Sequence, residues 1–110
     1  MVTFGGYRTM WLIVMFDLPT YTAEARRGYT LFRKFLLADG FIMMQYSVYM
    51  RHCASEENST VHIRRIKTSL PPDGEVRIVT FTDKQFERMQ VFYGKKAKKA
   101  EQAPNQLSFF

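Results

Sequence analysis

Cysteine is nearly absent. Cys53 is the single one in 110 residues, which excludes an intramolecular disulfide and points to a reducing, cytoplasmic setting. Histidine is scarce too, with two in the whole chain. His52 adjoins Cys53, but two neighbouring residues without a second pair do not make a zinc site. No apolar stretch is long enough to cross a bilayer, which takes about 20 residues. The run Trp11-Leu12-Ile13-Val14-Met15-Phe16 is at the lower limit of a signal-peptide core and ends in Asp17-Leu18-Pro19 rather than in small residues. Acids are outnumbered, ten Asp and Glu against sixteen Lys and Arg, for a net charge of +6 and a pI near 9.7. That balance favours a polyanionic partner such as nucleic acid. What the chain does have is apolar and aromatic side chains, 46% and 15%, enough to exclude disorder for most of its length and to build one core.

The run Trp11 to Phe16 organises the rest. Both of its alternating sets are apolar, as in a strand covered on both faces. Pro19 lacks an N–H and biases Leu18 away from helix, so the strand ends near Asp17. Asp17 is thereby delivered to the strand's carboxyl end, at the rim of the core. A carboxylate there is either a turn-former and cap or a ligand for a hard divalent cation.

A short leader, Met1 to Met10 with Gly5-Gly6, precedes this strand. After it, Thr20 or Thr22 caps a helix with Glu24 in its first turn. The helix runs to about Ala38-Asp39 and stops at Gly40. Ala25, Tyr29, Phe32 and Leu36 recur at helical spacing, with Leu31 and Phe35 beside them. Arg26, Arg27, Arg33 and Lys34 lie largely off that stripe, forming either a solvated face or a phosphate-binding one.

Phe41 to Met44 and Gln45 to Arg51 read as one bent strand or two short ones. Tyr46, Val48 and Met50 point one way. Gln45, Ser47, Tyr49 and Arg51 point the other, onto a face that is partly wet or meets another chain. Ser55 caps a second helix, with Val61, Ile63, Ile66 and Leu70 inward and Arg64, Arg65 and Lys67 outward. Pro71-Pro72-Asp73-Gly74 makes a tight turn. Glu75 to Thr82 is a strand, Thr82 to Met89 a short helical piece, and Gln90 to Tyr93 a short last strand closed by Gly94. From Lys95 the composition changes to a basic tail, which ends in Leu107-Ser108-Phe109-Phe110, an apolar end suited to docking on a partner.

This order predicts an α+β protein with the βαββαβ pattern of the ferredoxin-like fold, an antiparallel four-stranded sheet plus a short fifth strand. Residues 1–94 form the domain and 95–110 the tail. Two helices cover one face. The other is left without cover from this chain, so a two-fold homodimer is expected to bury it.

The residues Met15-Phe16-Asp17, Ala23-Glu24-Ala25-Arg26-Arg27, Phe32-Arg33-Lys34-Phe35-Leu36, Gly40-Phe41 and Gln45-Tyr46-Ser47-Val48-Tyr49 together resemble the small CRISPR-associated adaptation protein, the Cas-two family, over about residues 9 to 93. The phrases FDLPT, FRKFLLADGF and QYSVY look most like the form beside Cas-nine in type II systems. The resemblance implies a ferredoxin-like homodimer that bridges dimers of the CRISPR integrase and captures duplex prespacer DNA. It further implies, for some members, a magnesium-dependent (or manganese-dependent) endonuclease acting on RNA or duplex DNA. In that account Asp17 binds the metal and is the catalytic acid, and Arg26 and Arg27 handle nucleic acid. Gly40, Gln45, Ser47 and Tyr49 fall on the family's structural motif. One Asp per chain is a sparse magnesium site, and a two-fold axis that brings Asp17 to its copy would enrich it. Backbone contacts from Arg and Lys suit a protein that accepts any DNA sequence.

Two other classes compete. An RNA-binding module of the RRM type shares the sheet and helices but needs exposed stacking aromatics on the central strands, and no RNP1-like Gly-aromatic pattern surrounds Tyr46 or Tyr49. A regulatory ferredoxin-like dimer without nucleic acid is opposed only by the basic helix faces and the lysine run.

Overall fold

Alternation along the first strand divides the protein into two cores. The computed structural model describes residues 9–104. Strand β1 (Met10–Asp17) is followed by helix α1 (Ala23–Ala38), strands β2 (Ile42–Gln45) and β3 (Val48–Cys53), helix α2 (Glu56–Lys67), strand β4 (Glu75–Thr82), the single-turn helix α3 (Asp83–Glu87), and strands β5 (Val91–Tyr93) and β6 (Lys96–Lys98). The first four strands form one antiparallel sheet in the order β2-β3-β1-β4, as the ferredoxin-like reading requires. Of the leader, Met1 to Met10, residues 1–8 lie outside the described residues, as does the apolar end of the tail, Leu107 to Phe110; Met10 is already the first residue of β1.

Even-numbered β1 side chains face the helices. Met10, Leu12, Val14, Phe16 and Leu18 pack with Phe32 and Leu36 of α1, Ile66 of α2, Phe41, Tyr49 and Cys53. The helices begin where the chain supplies caps. Thr22 Oγ1 accepts from Ala25 N at 3.0 Å and Ser55 Oγ from Asn58 N at 3.0 Å, each satisfying an amide that the first helical turn leaves without a partner. α1 ends at Gly40, whose φ of +90° is left-handed. Leu31 and Leu70, expected inward or near the core, are exposed at 61% and 47%.

Odd-numbered side chains form the second core. Trp11 and Ile13 pack with Met50 and with Phe86 of α3, bordered by Met15, Met44, Val48, Val79, Phe81, Met89, Ala100 and Ala103. This corrects the expectation of a face left bare. Phe86 stacks on Trp11 with ring centres 4.0 Å apart and planes 10° apart, and Ala100 and Ala103 of the segment after β6 reach the same cluster. α3 is held there by a reciprocal capping box between Thr82 and Gln85. The Asp83 carboxylate meets both the Thr9 hydroxyl and His52 Nε2. Cover is therefore complete over the Trp11 end of the face and ends before Asp17.

β2 and β3 are two strands. Between them Tyr46-Ser47 makes a turn in which Ser47 is left-handed at φ +61°, and Ser47 O accepts from Phe16 N at 3.0 Å. Along β3 the alternation holds, with Val48 and Met50 toward the second core, but Tyr49 is not on a wet face, because its side of the strand is the one the helices cover. It is 1% exposed, packs with ring centres 5.7 Å from Phe16, and belongs to the helix-side core. β5 and β6 pair as a separate hairpin, so the lysine run begins as paired strand rather than as free tail.

Candidate nucleic-acid site

Asp17 is the last residue of β1 and is exposed. Its place is set by three neighbours. Pro19 ends the strand beyond it, Gly74 packs against its carbonyl, and β4 pairs with it. The β1·β4 register puts Glu75 opposite Asp17 and Arg77 opposite Met15. On β4 the residues Val79 and Phe81 join the second core, so Glu75 and Arg77, four and two positions before Val79, share that face. Met15, Phe16, Asp17, Tyr46, Ser47, Val48, Glu75 and Arg77 line a cleft of about 230 Å³ at the uncovered end of the second face. Arg77 Nε donates to Glu75 Oε1 at 3.0 Å, and the pair is 70% and 65% exposed.

The donor set limits what metal can be held. Among the described residues no group of three His, Cys, Asp or Glu side chains comes together. One chain therefore offers Asp17 with Glu75 opposite. Magnesium is commonly held by one or two carboxylates with waters and a substrate phosphate completing the shell, and this pair fits that requirement.

The basic residues divide by location. Arg26, Arg27, Arg33 and Lys34 are all exposed on α1. Arg26 Nη1 donates to Thr20 O at 3.1 Å, and Arg33 Nε donates to the hydroxyl of buried Tyr49 at 2.8 Å, so Arg33 has one guanidinium nitrogen committed to the core. Arg64, Arg65 and Lys67 are exposed on α2. α1 and α2 cover the same sheet face, so these cations form one positive layer, some distance in sequence from Asp17. Gln45 ends β2, exposed, beside the turn that Ser47 makes.

A buried ionic cluster went unread in the sequence. Asp39, at the C-cap of α1, accepts from His62 Nδ1 at 2.7 Å and from Arg65 Nη1 at 2.7 Å, and its carbonyl accepts from Arg51 Nε at 2.8 Å. Burial raises the Asp39 pKa, but the hydrogen bonds from His62 and Arg65 outweigh that and hold it below 3.8. His62 and Asp39 side chains are 5% and 7% exposed, so the cluster fastens α1 to α2 and is closed to substrate. Cys53 is buried, and that burial pushes its thiol up, as expected of an inert structural cysteine. Glu75 and Arg77 were likewise missed as neighbours of Asp17. Only the β1·β4 register brings them together, and no local pattern announces it. The RRM reading fails, because the aromatics of the central strands, Trp11, Phe16 and Tyr49, are all buried.

The family model described as "CRISPR associated protein Cas2" matches residues 10–89. A protein of Parvibaculum lavamentivorans named "CRISPR-associated endoribonuclease Cas2" is 57% identical over 92% of this chain and all of its own length. Proteins of the same name from Flavobacterium psychrophilum and Streptococcus mutans are 49% and 42% identical, over 94% and 91% of this chain and 90% and 92% of theirs. No helix among the described residues is long and apolar enough to cross a membrane. A match this extended, on a βαββαβ sheet with an exposed aspartate at the end of its first strand, makes the chain a member of the Cas2 family of CRISPR systems.

Proposed function

We propose that this protein is a DNA-binding subunit of CRISPR spacer acquisition, a homodimer that holds duplex prespacer DNA by its backbone and bridges dimers of the CRISPR integrase. The observation that carries this reading is the helix layer, where Arg26, Arg27 and Lys34 of α1 and Arg64, Arg65 and Lys67 of α2 are all exposed over one sheet face. Cations so arranged neutralise phosphates and release counterions without reading bases. A second copy has a place to bind. The uncovered end of the second face presents Met15, Met44, Val48 and Val79 only partly buried, and Ile42, which pairs with Met50 on that face, is exposed. Each Å² of such apolar surface removed from water contributes about 25 cal/mol. Asp17 borders that surface, so a two-fold dimer formed there brings the two Asp17 clefts to the interface.

The test is size-exclusion chromatography of the protein with the integrase encoded beside it, with and without a short duplex. Co-elution is expected. Separate elution in every combination overturns the reading. Duplex affinity is expected to fall with salt at a log–log slope of about −0.9 per phosphate contacted, and to be the same in Asp17→Ala.

A second activity is favoured by one observation, the exposed Asp17 opposite Glu75 at the lip of a cleft, and by the endoribonuclease names of the relatives. In this reading Asp17, with Glu75, holds a magnesium or manganese ion. Such an ion supplies positive charge to a phosphate and lowers the pKa of a bound water. Cleavage of RNA or duplex DNA is then expected to require the metal and to vanish in Asp17→Asn. Metal-independent cleavage, or cleavage that survives Asp17→Asn, overturns it.

A further inference from the structure

We propose that Arg77 is the phosphate-binding residue of the Asp17 cleft, seating the non-bridging oxygens of an RNA phosphodiester beside the Asp17 carboxylate. The proposal deepens the phosphodiesterase reading of that site and rests on it.

Three observations carry it. The first is placement. Asp17 and Arg77 are diagonal neighbours across β1 and β4, since Asp17 pairs with Glu75 and Met15 pairs with Arg77. Side chains in this relation stand about 7–8 Å apart at their bases, a gap that a tetrahedral phosphate can occupy. Both line the same cleft of about 230 Å³, and among its lining residues Arg77 is the only cation.

The second is the state of the charges. Asp17 has no cation within ion-pair distance among the described residues. Arg77 is instead held by Glu75, through Nε alone. Its two terminal nitrogens have no protein partner among the described residues, and these are the atoms that form a fork on a phosphate. Glu75 thus fixes the guanidinium at its base and leaves the fork to a ligand.

The third is energetic. An ion pair whose members are 70% and 65% exposed contributes little to stability. Charged side chains on an edge strand also discourage sheet-to-sheet association, and β4 is an edge strand. That role asks only for charge. It does not ask for an arginine whose fork is free and which shares a cleft with the exposed aspartate.

The experiment compares the full chain with its Arg77→Ala, Arg77→Lys and Asp17→Asn variants, each first shown to be folded by its thermal midpoint. Binding to a short single-stranded RNA is measured in EDTA across a salt series, and cleavage of the same RNA is measured in magnesium. Arg77→Ala is expected to lower the magnitude of the log–log salt slope by about 0.7, the value for one phosphate on a single strand. It is also expected to lower kcat at least tenfold. Arg77→Lys keeps the charge and so restores the slope, but it lacks the fork and leaves kcat low, a split that a merely structural role does not produce. An unchanged slope in Arg77→Ala overturns the proposal, whatever happens to cleavage. Full cleavage by Asp17→Asn overturns the phosphodiesterase reading instead. In that case, and equally for a chain that cleaves nothing, the salt slope still decides whether Arg77 holds phosphate.

Discussion

Gly74 lies against Asp17: a Cβ at Gly74 would stand 2.8 Å from the Asp17 carbonyl oxygen, and 2.6 Å and 3.0 Å from Leu18 Cδ2 and Cα. Its φ is +98°, a conformation in which a side chain is strained even where there is space. The glycine lets the entry to β4 approach the exit of β1, which is what sets Glu75 opposite Asp17. Gly74→Ala is expected to destabilise the fold by about 1–3 kcal/mol from backbone strain, with the overlap on Leu18 adding to it. It is also expected to displace the Asp17 cleft. Urea unfolding reads the first effect, and RNA binding in the folded fraction reads the second.

The opposite sign is expected at Gly28. It lies inside α1, and the nearest atom to an added Cβ is Pro71 Cβ at 3.9 Å, ordinary van der Waals contact. Glycine in a helix interior costs about 0.5–1 kcal/mol relative to alanine. Gly28→Ala is therefore expected to raise stability by that amount, with the same denaturant dependence. A loss of stability would show that α1 and the Pro71-Pro72 turn approach more closely than this distance implies.

Asp39 sets an acid limit. Its folded pKa is held below 3.8 because the hydrogen bonds from His62 and Arg65 outweigh its burial. A carboxyl depressed on folding contributes stability that is fully present above its unfolded pKa and is lost as pH falls through the folded value. The wild type is expected to lose stability below about pH 4, where the proton enters the cluster. Asp39→Asn is expected to lose about 1.5–3 kcal/mol at neutral pH, the usual range for a hydrogen bond to a charged group, and to show a flatter acid limb. Urea midpoints from pH 7 to pH 3 measure both. Parallel acid limbs in the two proteins would place the titrating group elsewhere.

Much of this architecture was legible locally. Trp11 to Phe16 followed by Pro19 gave the strand and its end at Asp17. Thr22, Ser55 and Gly40 marked helix boundaries because capping is a matter of adjacent residues. What stayed hidden depended on distant partners or on an unmarked backbone. Ser47 adopts a left-handed φ without being glycine or asparagine, so nothing local marks the break between β2 and β3, and the burial of Tyr49 depends on helices that no neighbouring residue announces. Glu75 and Arg77 meet Asp17 through strand pairing nearly sixty residues away in the chain. His62 reads as a polar residue on an amphipathic helix until Asp39 is found beside it. Lys96–Lys98 forms strand despite its charge, since pairing with Val91–Tyr93 supplies what its composition does not.

The cover over the second face came from α3, five residues long and too short to display a helical period. Its contribution is concentrated in Phe86, which is 1% exposed and stacks on Trp11. Removing a buried phenylalanine typically costs about 3–5 kcal/mol, and the stacked pair adds about 0.5–1.5 kcal/mol beyond buried area. Phe86→Ala is therefore expected to cost at least as much as a typical core truncation and to uncover Trp11. Trp11 is the only tryptophan, so its emission reports the event directly, shifting to the red as water reaches the indole. Phe86→Leu keeps apolar cover without the stack and is expected to fall between the two. Full stability in Phe86→Ala, with Trp11 emission unchanged, would mean that another segment covers this end of the sheet in solution.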